Sequence, residues 1–204
     1  MVICVAGPMA AGKNYVCSIL EERGFFCVDA DLVIHQVIKE KEEEIFLKFK
    51  EEAAAAGLEL KKSDGSLDRR VLGELLFKNP NLLAKQESLV YPAFERRIQE
   101  MIDENKESSQ AQDSGGLAIN ATLLYKTPAL LRLCKKIIYV DAPFLVRVWR
   151  SRRRDKMRLL QILRRMKAQK GLEGQYKKFA AENNIEFIRV NNFLCDEGIK
   201  KWIS

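Results

Sequence analysis

VICVAGPMAAGKNYVCSILEERG, residues 2 to 24, decides the fold. Val2 to Ala6 is a short continuous apolar run rich in β-branched residues, the pattern of a strand buried in a parallel sheet. Gly7, four residues, Gly12 and Lys13 follow, the frame of G-x-x-x-x-G-K-[ST] with Asn14 in the last position. Val16, Ile19 and Leu20 then recur at helical spacing, and Gly24 supplies a C-terminal stop. Strand, glycine loop and helix in this order make a phosphate cradle. Backbone amides of a tight turn face the anion, Lys13 reaches it, and the positive end of the following helix points at it. A Ser or Thr hydroxyl at the last position normally ligates Mg²⁺. The amide oxygen of Asn14 is also a hard ligand but has a different reach, so Asn14 is the candidate metal ligand, holding Mg²⁺ partly through water.

Outward from the loop, Phe25 to Val28 reads as a second buried strand ended by Asp29-Ala30-Asp31. Residues 32 to 106 are helical in pattern, interrupted by the turn KKSDGS and by Pro92, where the helix is expected to break or bend. Residues 105 to 116 (NKESSQAQDSGG) read as a polar surface connection. LAINA (117 to 121), KIIYVDAP (136 to 143) and IEFIRV (185 to 190) supply three more strands, with helical segments between them. The expectation is a three-layer α/β fold with a five-stranded parallel sheet. Its core would be 1–31 with 117–204, and 32–106 would be a helical insertion.

The chain has 204 residues, 47% of them hydrophobic, enough for one domain with an insertion. With 31% charged residues and no apolar run near the ~20 needed to span a bilayer, it reads as a soluble, cytoplasmic protein without a membrane partner. Its apolar start is too short for a signal-peptide core. The five cysteines, Cys4, Cys17, Cys27, Cys134 and Cys195, lack C-x-x-C spacing and read as reduced, mostly buried thiols. The net charge is +7, yet Arg147 to Lys170 holds eleven Lys or Arg against one acid, a local +10 that leaves −3 elsewhere. Charge concentrated in one segment, with Trp149 its only aromatic, argues for a polyphosphate held at one place and against a nucleic-acid partner.

Three groups of residues carry the chemistry. Ligands of open α/β sheets sit beyond the carboxyl ends of the strands, which aims Asp29 and Asp31 at the site defined by the loop. Acids beside a phosphate cradle suit proton removal from an attacking hydroxyl, or metal organisation. Capping of the helix that begins near Leu32 is the structural alternative. Arginines of a helical hairpin at about 144–170 could close over a nucleotide and neutralise developing charge. Arg150, Arg154 and Arg165 are the candidates, with Asp155 to orient one, against the alternative of a solvated basic face. His35, the sole histidine, lies one helical turn beyond Asp31, where it could approach a substrate phosphate or simply pack.

The ordered set of segments resembles the dephospho-coenzyme A kinase family. The resemblance rests on the loop at 7 to 14, DADLVIH at 29 to 35, DGSLDRRVLGELLF at 64 to 77 and YPAFERRI at 91 to 98. It continues through NATLLYK at 120 to 126, RRRDKM with RRMKAQ at 152 to 169, and FIRVNN at 187 to 192. It implies a P-loop kinase fold with a coenzyme-A-binding helical insertion and a helical lid, acting on ATP and dephospho-coenzyme A with Mg²⁺. The implied reaction phosphorylates the ribose 3′-hydroxyl; a related nucleoside or nucleotide kinase, or a non-catalytic binder, is the alternative. By the same resemblance Asp31 is the general base, and Lys13 with the amides of Ala10, Ala11, Gly12, Asn14 and Tyr15 holds the ATP phosphates. Arg154 and Arg165, with Arg150, belong to the lid, and Asn191 to the adenine end. Asp29, His35, Arg69 and Tyr91 are the acceptor-binding candidates. The sequence departs from the family pattern at Ala6, Met9 and Ala10, where the loop is usually richer in Gly and Thr. It departs again at Asn14, at Tyr91 in place of His, and at Lys126 in place of Glu.

Overall fold

The structure, a computed structural model, describes residues 1–109, 115–155 and 158–192, apart from the side chains of 108, 109 and 155. Cys195 and the orienting role expected of the Asp155 side chain therefore lie outside the described residues. The sheet contains β1 (Val2–Ala6), β2 (Phe25–Asp29), β3 (Gly116–Asn120), β4 (Lys136–Asp141) and β5 (Glu186–Asn191). Every pairing is parallel and the spatial order is β2-β3-β1-β4-β5. The α/β architecture expected from the alternation of strands and helices is thus the one observed.

β1 is central because its residues can be buried on both faces. Cys4, Val5 and Ala6 are fully enclosed, as are Ala118 and Ile119 of β3 and Ile137 and Val140 of β4. From β1 the chain goes to the β2–β3 side and then crosses to the β4–β5 side. The loop after β1 therefore opens where the order of the strands reverses, the usual ligand position of such sheets. The helix α1 (Lys13–Glu21) covers this centre with Val16, Cys17, Ile19 and Leu20. α6 (Pro128–Leu133), α7 (Phe144–Asp155), α8 (Leu159–Ala168) and α9 (Leu172–Glu182) complete the second half.

The remaining helices are α2 (Ala30–Glu40), α3 (Glu42–Ala55), α4 (Arg69–Lys78) and α5 (Pro80–Ser109). Residue contacts divide the chain into two compact units. One comprises Met1–Ala30 and the chain from Gln99 onward; the other is Asp31–Ile98. Both divisions fall inside continuous helices, α2 and α5. The second unit has its own core, in which Ile45, Phe49, Val90, Phe94 and Ile98 are buried. Asp68 caps α4, its side chain accepting from the amides of Arg70 (2.9 Å) and Val71 (3.2 Å).

Two local expectations are corrected and one is narrowed. α5 runs through Pro92 without ending there, which excludes the break of the expected break or bend. Proline removes one intrahelical donor, but Val90 and Phe94 beside it and Ile98 beyond it are all buried, and that packing holds the helix together across the gap. The polar stretch from 105 to 109 continues α5 instead of forming a connection, because polar residues such as the exposed Lys106 and Glu107 cost a last helical turn little once the inner face of the helix is anchored. α2 begins at Ala30, before Leu32, so Asp31 sits inside the first helical turn and does not cap it.

Candidate active site

The glycine loop is held in a conformation that only part of its sequence favours. Gly7 has φ +149, and a Cβ there would lie 2.1 Å from the Val140 carbonyl oxygen, so the approach of the loop to β4 requires glycine. Gly12, the residue preceding α1, has φ +98. Ala10 also lies in the left-handed region, at φ 60, where a side chain costs roughly 1–2 kcal/mol. The Ala10 departure from a glycine-rich loop is therefore carried as backbone strain. α1 begins at Lys13 with no side-chain cap and no acid in its first turn, so its positive end is left for an anion.

Lys13 is held in place by donating to Gly7 O and to Thr122 Oγ1, both at 3.1 Å. Thr122 is fixed in turn. The hydroxyl of Tyr176, a fully buried residue of α9, donates to Thr122 O at 3.2 Å and accepts from the Leu124 amide at 2.9 Å. Burial raises the pKa of this phenol, so it acts as a hydrogen-bonding group and not as an acid. Asn14 accepts from Asn120 Nδ2 at 3.0 Å. Asn120 closes β3 opposite Asp29, which closes β2. Asn14, Asp29, Asn120 and Lys13 thus share the carboxyl edge of the sheet.

A second layer braces the loop from outside. Arg150 Nη1 donates to Ala11 O at 3.2 Å and lies 3.5 Å from Ala10 O, while Nη2 donates to Asn192 O at 3.2 Å. Asn192 Nδ2 donates to Ala11 O at 3.0 Å, and Gln169 Oε1 accepts from the Met9 amide at 2.9 Å. The outward carbonyls are tied in this way, and within the turn the Ala11 amide donates to Pro8 O at 3.2 Å and the Tyr15 amide to Gly12 O at 3.1 Å. Beside the brace opens a cavity of about 730 Å³ lined by Ala10, Gly12, Tyr15, Trp149, Arg150, Arg153, Arg154 and Asn192. The Arg153 guanidinium lies 5.3 Å from the centre of the Trp149 ring. A flat aromatic and several guanidiniums beside a phosphate cradle match a ligand with a ring and a polyphosphate.

The expected residues separate. Ala10, Gly12, Tyr15, Arg150 and Arg154 line this cavity, and Arg150 bonds the loop carbonyls. Arg165, on α8, is exposed and is not among the lining residues. Asn191 is exposed at the end of β5, and its neighbour Asn192 reaches the loop instead. In the other unit, His35 and Arg69 line one cavity of about 440 Å³ with Leu32, Lys39 and Lys62, and a neighbouring one of about 370 Å³ with Arg70. Tyr91, on α5, donates to Glu87 at 3.1 Å and lines neither. Asp31 opens that unit in the first turn of α2.

Sequence reasoning missed Asn192, Asn120, Thr122, Gln169, Arg153 and Tyr176. All but Arg153 act through contacts between distant parts of the chain; Asn120, Thr122, Arg153, Gln169 and Asn192 do lie within the quoted motif segments. For a metal, Asn14 Oδ1 is a hard oxygen with one acceptor position taken by Asn120 and another left, and Mg²⁺ needs only one or two protein oxygens beside phosphate and water. The residues fit such an ion. Among the described residues no cluster of three or more His, Cys, Asp or Glu could hold one, and no helix is long and apolar enough to cross a membrane.

Comparison with known proteins points the same way. The family model described as CoaE, dephospho-CoA kinase, matches residues 1–186. The dephospho-CoA kinase of Treponema denticola is 34% identical over 201 residues, covering 98% of this chain and 86% of that protein. That of Treponema pallidum is 36% identical over 173 residues, covering 85% and 80%. In fold, the crystal structure of TT1252 from Thermus thermophilus superposes with a TM-score of 0.78 at 24% identity, covering 100% of this chain and 94% of that one. A glycine loop with a braced lysine, followed by a helical unit and a match along both, makes this chain a member of the dephospho-CoA kinase family.

Proposed function

We propose that the protein transfers the γ-phosphoryl group of ATP to the ribose 3′-hydroxyl of dephospho-coenzyme A, giving coenzyme A and ADP. The observation that carries this reading is the family match over residues 1–186, which spans both the phosphate cradle and the helical unit. Lys13 and the amides from Ala10 to Tyr15 hold the phosphates; the bonds of Lys13 to Gly7 O and Thr122 Oγ1 support this by setting where its ammonium lies. Asp31 takes the proton from the acceptor hydroxyl as general base. Arg154 neutralises charge on the transferred group, Arg150 steadies the loop, and Arg165 and Asn191 belong to the lid and the adenine end. The lid is about 144–170 of a core comprising 1–31 and 117–204.

Dephospho-coenzyme A is bound by the helical insertion, 32–106, with Asp29, Asp31, His35, Arg69 and Tyr91 as its contacts. The cavities that bring His35 and Arg69 together with Lys39, Lys62 and Arg70 support an anionic ligand there. Mg²⁺ accompanies ATP and is held by Asn14, partly through water; when bound it neutralises phosphate charge. The partners are these two small molecules, with no nucleic acid or membrane, and the setting is the cytoplasm. The test is to incubate the protein with Mg²⁺, ATP and dephospho-coenzyme A and look for coenzyme A by mass spectrometry. Product is expected. ATP binding without product across a range of Mg²⁺ and Mn²⁺ would overturn the reading.

A further inference from the structure

Two thiols that phosphoryl transfer does not use lie together behind the glycine loop. Cys17 sits on the buried face of α1, one turn beyond Lys13, and is 6% exposed. Cys27 is the middle residue of β2, half-buried, two residues before Asp29. The Cys27 thiol donates to the backbone carbonyl oxygen of Cys17 at 3.4 Å, which sets the two side chains beside each other. The neighbouring Cys17 thiol lowers the pKa of Cys27, against opposing effects of partial burial and of Glu21, while Cys17 is pushed up by Cys27 and by burial. Cys4 and Cys134 differ: both are buried, and burial holds them as thiols, Cys134 at about 12.

We propose that Cys17 and Cys27 form a peroxide-responsive dithiol whose oxidation closes a disulfide between α1 and β2 and slows turnover at the glycine loop. The half-buried Cys27, as thiolate, attacks one peroxide oxygen. The O–O bond breaks, hydroxide leaves and is protonated to water, and Cys27 becomes a sulfenic acid. Cys17 then attacks the Cys27 sulfur as it loses its own proton. The S–S bond forms, the S–O bond breaks, and a second water leaves. Two electrons from two thiols have reduced one peroxide to two waters.

The consequence for the site follows from packing. The two sulfurs must close to about 2.05 Å to be bonded. On one side Cys17 is flanked by Val16, Ile19 and Leu20, all buried, so α1 moves as a body and carries Lys13 with it. On the other, β2 is an edge strand that among the described residues pairs with β3 alone, and its displacement carries Asp29. A misplacement of about 1 Å at a reacting centre costs up to ~10²-fold, so closure is expected to lower turnover by about tenfold or more.

The activity half of this inference rests on the phosphoryl-transfer reading; the covalent half does not. The full chain is treated with hydrogen peroxide, digested and mapped by mass spectrometry, with turnover and ATP affinity measured before and after and again after dithiothreitol. A 17–27 linked peptide lighter by two hydrogens is expected, together with a tenfold or greater fall in turnover that dithiothreitol restores. Cys27→Ser should resist peroxide, and Cys134→Ser should remain sensitive. Absence of the 17–27 linkage, a linkage that leaves turnover unchanged, or a Cys27→Ser protein inactivated like its parent would each overturn the inference. Were the reduced chain to make no coenzyme A, the function reading would fall alone. The peptide map and a shift in ATP affinity on oxidation would then decide this one.

Discussion

Gly12→Ala tests the brace around the loop. A Cβ on Gly12 would sit 1.8 Å from Asn192 Nδ2 and 3.3 Å from Arg150 Nη1, so the Asn192 side chain must leave. Its bond to Ala11 O, 3.0 Å long, is then lost, at a cost of about 1 kcal/mol. The backbone adds a second cost: at φ +98 an alanine is strained by roughly 1–2 kcal/mol. Gly12→Ala is therefore expected to destabilise the protein by about 2–3 kcal/mol, a 30- to 150-fold change in the folding equilibrium. In an Asn192→Ala background the steric part is already gone, and the same substitution should cost only the 1–2 kcal/mol of backbone strain. The cycle should close with a coupling of about 1 kcal/mol, read by urea denaturation of the parent, both single variants and the double variant. Equal cost in both backgrounds, within about 0.5 kcal/mol, would refute the contact and with it the role given to Asn192.

Asp31→Asn should lower turnover by at least about a hundredfold while ATP affinity, measured by calorimetry, stays near that of the parent; an unchanged rate would leave Asp31 a helix residue and no base. Tyr176→Phe keeps the ring in place but strips the partner from the Leu124 amide and from Thr122 O, so thermal denaturation should show a loss of about 1–3 kcal/mol; ATP affinity should fall as Lys13 loosens. Arg150→Ala takes the guanidinium off the loop, leaving Asn192 as the brace on Ala11 O, and should raise the KM for ATP by about tenfold, with Arg150→Lys only partly restoring it because an ammonium cannot span the loop and Asn192 together. Asn14→Thr should lower the Mg²⁺ concentration needed for half-maximal rate, and no shift would mean that the metal is held elsewhere.

The fold was readable because its strands are short apolar runs bounded by glycine or acid, a pattern that depends on near neighbours alone. VICVA, FFCV and KIIYV each became a strand, and the loop between the first strand and its helix fell where the motif put it. Local reasoning failed where packing outvoted it. Pro92 and the polar turn at 105 to 109 both carry breaking or loop-like signals, and both are overridden by the buried stripe of α5. The site was readable only along its own backbone. Asn192 touches Ala11 across 181 residues, Arg150 across 139 and Gln169 reaches Met9 across 160, separations that no periodicity registers. Asn192 escaped notice for a local reason: β5 ends at Asn191, and the residue just beyond the strand turns toward the loop.

Asn14 shows why a motif letter cannot be read alone. A hydroxyl offers the same oxygen whichever way it rotates, whereas an amide presents oxygen on one side and hydrogen on the other, so an asparagine serves a cation only if something fixes its orientation. Asn120 does this, donating Nδ2 to Asn14 Oδ1 from a strand end that is 7% exposed. The pair is 106 residues apart in sequence and adjacent in space. A threonine at position 14 is shorter and would leave the Asn120 donor without its partner in a nearly closed pocket, a loss of about 1–3 kcal/mol. Restoring the family letter thus works in two directions at once, easing metal binding while weakening the seam between α1 and β3. Asn14 and Asn120 are one device, and each residue type is explicable only through the other.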